Sequence, residues 1–87
     1  MTFDGEADFL FPDGTHLVAV VHATQRGGRW TGNLRLAGVD RRLEKGDICR
    51  LTHDRFGGEQ RVVITEQTGS TRYAFIALIK PDPFETL

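Results

Sequence analysis

Phe3-Asp4-Gly5-Glu6-Ala7-Asp8-Phe9-Leu10-Phe11, then Pro12-Asp13-Gly14, then Leu17-Val18-Ala19-Val20-Val21, is the stretch whose reading decides the fold. In the first run Phe3, Gly5, Ala7, Phe9 and Phe11 fall on one side of an extended chain, and Asp4, Glu6 and Asp8 on the other. That alternation is a strand with one dry and one wet, acidic face. Proline presets φ and glycine accepts positive φ, so Pro12-Asp13-Gly14 reverses the chain. The run that follows is apolar at consecutive positions. Such a strand sits in the middle of a sheet or against a second surface.

The same rhythm continues outward to the end of the chain. Strands are predicted over Phe3–Phe11, Thr15–Thr24, Arg29–Leu36, Ile48–His53, Gln60–Thr65 and Arg72–Ile79. The later breaks fall at Arg26-Gly27-Gly28, Lys45-Gly46-Asp47, Phe56-Gly57-Gly58 and Gln67-Thr68-Gly69. In the third run Trp30, Gly32, Leu34 and Leu36 face inward, and Gly32 predicts a bend or bulge beside the indole. The longest connection, 37–47, holds Val39 and Leu43 as pins against an open end, with room for one helical turn at 40–45 capped by Asp40. Lys80-Pro81-Asp82-Pro83 ends the sheet because proline cannot donate to a ladder. Residues 80–87 form a tail, with Phe84 packing over the barrel or fraying. The expected fold is all-β: a six-stranded antiparallel meander over one domain, 1–87, closing into a small barrel or a flattened two-sheet sandwich.

Composition narrows the class. The chain has 87 residues, 39% hydrophobic and 26% charged, which suits one globular core. Cys49 is the single cysteine, so no intrachain disulfide and no thiolate cage can form. No signal-like segment precedes the first strand, and no run nears the ~18–20 apolar residues of a membrane span. A soluble, cytoplasmic protein without membrane contact is the expectation. Residues 1–25 carry Asp4, Glu6, Asp8 and Asp13 and no Lys or Arg, whereas 26–61 are rich in arginine. Arginine suits planar recognition of phosphate or carboxylate, and a GC-rich genome also produces it without a functional cause.

Groups for catalysis are sparse. His16 and His22 share a strand face but stand about 20 Å apart at ~3.3 Å per residue, too far to share a metal. Cys49 and His53 are about 13 Å apart on the same basis and cannot form a dyad. Ser70 is the sole serine and lies in a glycine turn. No spacing matches a zinc site. The sequence predicts no enzyme, no metal and no cofactor. An enzyme would require His53 to meet His22 or an acid across strands.

Two loops combine arginine, glycine and an aromatic residue. Arg26, Arg29 and Trp30 flank one, and Arg55 and Phe56 flank the other. Backbone N–H groups beside arginine hold anions, and an aromatic face stacks a base. In a regular meander both loops fall at one end of the barrel. With Arg41, Arg42 and Arg61 they form a candidate basic face for nucleotide or nucleic acid. The near-neutral net charge of −1 and the acidic N-terminal strand weaken long-range attraction to phosphate. The strand rhythm also resembles that of PilZ-type barrels, which bind cyclic dinucleotides. This chain has neither that family's arginine pair spaced by three residues nor its Asp/Asn-x-Ser-x-x-Gly motif, so no ligand is read from the rhythm. The favoured expectation is a binding module that associates with itself or another protein, because two doubly apolar strands exceed what a small barrel needs. Anion, nucleotide or nucleic-acid binding through the Arg-Gly-Gly loops is the alternative.

Overall fold

The computed structural model describes residues 2–27, 29–36 and 42–78. Six strands appear in chain order: β1 (Thr2–Leu10), β2 (His16–Arg26), β3 (Arg29–Leu36), β4 (Ile48–His53), β5 (Gly58–Gln67) and β6 (Arg72–Ala77). They close into an antiparallel barrel with spatial order β1-β2-β3-β6-β5-β4. The barrel is thus two three-stranded meanders. The connection from β3 to β4 crosses one end, so that β4 pairs with β1 and β6 with β3. Sequence spacing reveals the hairpins but not this crossing, because β3 and β6 are joined by no short turn.

The alternation read from sequence is the alternation of burial. Phe3, Ala7 and Phe9 of β1 point inward, while Asp4, Glu6 and Asp8 are exposed. In β2 the inward set is Ala19, Val21 and Ala23, and Val18 stands 52% exposed on the outside. Trp30, Leu34, Leu36, Leu51, Val62, Ile64, Tyr73 and Phe75 are among the other residues of the interior. The first turn closes through Gly14 N–H donating to the Phe11 carbonyl at 3.0 Å and Thr15 N–H donating to Asp13 Oδ1 at 3.0 Å. Gly32 shows no bulge: β2 and β3 stay in continuous register from Ala19↔Leu36 to Arg26↔Arg29. Glycine is required there because a Cβ would lie 2.0 Å from the His22 carbonyl oxygen. The bulge is in β5 instead, between Ile64 and Glu66.

Each end of the barrel is stopped by side chains. At the crossing end, the Tyr73 hydroxyl, itself buried, accepts from Leu43 N–H at 3.2 Å, and Leu43 is buried as expected. Val39, Asp40 and the tail with Phe84 lie outside the described residues. The described part of the long connection, 42–47, is a turn rather than helix. Asp47 Oδ2 takes the Glu44 N–H at 2.8 Å, and Gly46 has φ 96°, which together close the chain before a helical turn can form. The helical turn among the described residues is a 3-10 turn, Asp54–Phe56, between β4 and β5. No helix of the described residues is long and apolar enough to cross a membrane.

Candidate functional site

Both Arg-Gly-Gly loops lie at the end opposite the crossing, because β2 and β4 run in the same direction in this barrel. Trp30 and Phe56 meet edge-to-face with ring centroids 4.9 Å apart, and Phe56 also meets Phe3 at 4.8 Å. Both rings are buried, 3% and 4% exposed, and so form a plug rather than a stacking platform. The local chain dictates this. His53 caps the 3-10 turn by accepting the Arg55 N–H at 3.0 Å, and Gly57, at φ 75°, donates to the Asp54 carbonyl at 2.9 Å. That tight reversal throws Phe56 inward and leaves Arg55 exposed.

Around the plug stand Arg26, exposed, and Arg29, half-buried and opposite Arg26 in register. The Arg29 Nε is buried without a hydrogen-bond partner. The wider basic face does not assemble. Arg61 lies on the outer wall of β5, Arg42 sits at the crossing end, and Arg41 is outside the described residues.

The histidines are dispersed. His22 pairs with Asp4 across β1 and β2, both side chains exposed. His53 packs edge-on against Phe3 at 4.7 Å. Cys49 is 1% exposed, and burial, helped by the Asp47 charge, pushes its thiol up from 9.0 to about 12. At neutral pH it is a protonated, apolar core side chain and no nucleophile.

The outer surface carries two features that the sequence reading did not isolate. One is a belt of β-branched residues around the barrel. Ile48 faces Val63, Val63 faces Ile76, Ile76 faces Thr31, Thr31 faces Thr24, and Thr24 faces Thr2. Its β4–β5–β6 half is apolar, with Ile48 45% exposed. The other is a groove of about 580 Å³ on β2, β3 and β6, lined by Val20, His22, Asn33, Arg35, Thr68 and Arg72. Neither could be found without the register. Neither protein-family models, nor curated proteins, nor solved structures yield a match to this chain.

Proposed function

We propose that this protein is a non-enzymatic binding module that associates with a second copy of itself through the outer wall of β4, β5 and β6. The strip Ile48–Val63–Ile76 carries the reading. It places three branched apolar side chains side by side across ~10 Å of sheet, at ~4.8 Å per strand, with Ile48 exposed and Val63 and Ile76 half-buried. Its rims are of opposite charge. Arg50 and Arg61 face each other on one side, and exposed Glu66, opposite Ala74, stands on the other. A two-fold rotation about Val63 lays each arginine rim on the partner's Glu66, the self-complementary arrangement of an isologous dimer. Closure of the strands favours docking through a face over strand addition at an edge. The proposal sets this module in a reducing cytoplasm, where the single buried thiol needs no partner, and assigns it no cofactor or metal. Sedimentation velocity over a wide concentration range tests it. The expected result is a reversible dimer that Val63→Glu converts to a folded monomer. A wild-type protein that stays monomeric throughout contradicts it.

A second reading is favoured by the Arg29 Nε, since a buried unsatisfied donor costs about 1–3 kcal/mol that a bound acceptor would offset. It places an anion such as a nucleotide phosphate among Arg26, Arg29 and Arg55, with Trp30 and Phe56 serving only as plug. Replacing Arg29 and Arg55 by Ala without any change in nucleotide or oligonucleotide binding removes this reading.

A further inference from the structure

Three pairs of arginines face each other directly across neighbouring strands: Arg26 and Arg29 beside the β2–β3 turn, and two pairs farther along the walls that differ in how their charge is met. Arg50 and Arg61 are opposed on β4 and β5, and Glu59, on the diagonal, lies 3.6 Å from Arg50. Arg35 and Arg72 are opposed on β3 and β6, and neither guanidinium has an ion-pair or hydrogen-bond partner among the described residues. Like charges directly opposite destabilise a sheet. Among the described residues, nearby acids do not relieve this pair. Glu6 lies in the same row beyond Val20, two strands from Arg35 and about 10 Å away at ~4.8 Å per strand. Glu66 pairs with Ala74 and stands diagonal to Arg72 without bridging it. Asp4 is engaged by His22.

The unrelieved pair also lines the groove on β2, β3 and β6, together with Asn33 and Thr68, which offer neutral hydrogen-bonding groups. Val20 supplies an apolar floor, and His22, held by Asp4, presents its ring along the same row as Asn33. We propose that this groove binds a small phosphoester, with its phosphate held between Arg35 and Arg72. A phosphate monoester presents three terminal oxygens in a tetrahedral array and close to two negative charges, which matches two opposed guanidinium forks more fully than the single charge and planar oxygen pair of a carboxylate. A groove of about 580 Å³ is of the size that holds a small ligand, with the organic portion lying over Val20 toward His22. The site lies at the other end from the Arg-Gly-Gly loops and adjoins the proposed dimer face only at Glu66, which stands diagonal to Arg72.

The test is an amide-resolved NMR titration with inorganic phosphate, adenosine monophosphate, succinate and a short single-stranded oligonucleotide. Phosphate and the mononucleotide should shift amides around Asn33–Arg35 and Thr68–Arg72. Arg35→Gln and Arg72→Gln should each weaken mononucleotide binding by about tenfold or more, as the loss of a charge-assisted pair implies. A second readout needs no ligand: Arg35→Gln should raise the melting temperature of the free protein by removing the repulsion. Mononucleotide binding unchanged in both variants, or a melting temperature that Arg35→Gln leaves unchanged or lowers, overturns the proposal. So does tighter binding of succinate than of phosphate, or an oligonucleotide preferred over the mononucleotide with a steep salt dependence.

Discussion

The two outer walls of this barrel share one interior and differ in almost everything else. On β1 the wall is Asp4, Glu6 and Asp8, facing His22, Val20 and Val18 of β2. On β4, β5 and β6 it is Ile48, Val63 and Ile76 between an arginine rim and Glu66. Both walls back onto the same continuous core, so folding gives no reason for the difference. A wall that need only meet water is adequately served by carboxylates. Three adjacent branched apolar residues are better explained by something that covers them. The contrast separates what holds the barrel together from what it presents.

The largest way to break the comparison is to remove the shared interior. Trp30→Ala empties the plug against Phe56 and should cost about 3–5 kcal/mol, a large part of the ~5–15 kcal/mol that a small domain has. Chemical denaturation should show both walls lost together in one transition. Gly32→Ala forces a Cβ onto the His22 carbonyl and should cost about 3 kcal/mol, the upper end for overpacking, read by the same method.

Cys49 sharpens the comparison from inside β4. Its folded thiol titrates near 12 against an ordinary 9.0. Below that ordinary value both states hold the proton and the group adds no pH dependence. Between about pH 9 and 12 the unfolded chain loses the proton and the folded chain keeps it. Stability should therefore fall with rising pH, by up to about 1.4 kcal/mol per unit, and Cys49→Ala should flatten that part of the profile.

Changes to the walls themselves should barely touch stability. Replacing Ile48, Val63 and Ile76 all by Thr makes the apolar half of the belt match its Thr31–Thr24–Thr2 half and keeps β-branching throughout. That variant should lose self-association by light scattering, with about 1 kcal/mol or less lost per site. Glu59→Gln removes the exposed Arg50 ion pair and should cost under about 1 kcal/mol in thermal unfolding.

How much of this was legible in the sequence follows from which interactions are local. Period-two alternation placed all six strands, with β3 and β4 at their observed limits, because burial acts on each residue where it stands. Gly14 and Gly57 marked reversals because their backbones adopt positive φ. The two Arg-Gly-Gly loops fell at one end as a meander implies. The burial of Phe56 was not readable, since it depends on the 3-10 turn capped by His53. The apolar strip and the Arg35–Arg72 pair were invisible for a different reason. The strip follows from the hairpin registers of β4–β5 and β5–β6, and the arginine pair from the crossing that seats β6 beside β3, and alternation along one strand encodes neither.

The central claim is that the β4–β5–β6 wall is an interface and the β1 wall is not. Mixing one copy labelled for NMR detection with one unlabelled copy, and recording contacts only between copies, tests it most directly. The account predicts intermolecular contacts at Ile48, Val63 and Ile76 and none at Asp4, Glu6 or Asp8. No intermolecular contact at any concentration, with the methyl groups of the strip open to a soluble paramagnetic probe, would contradict it.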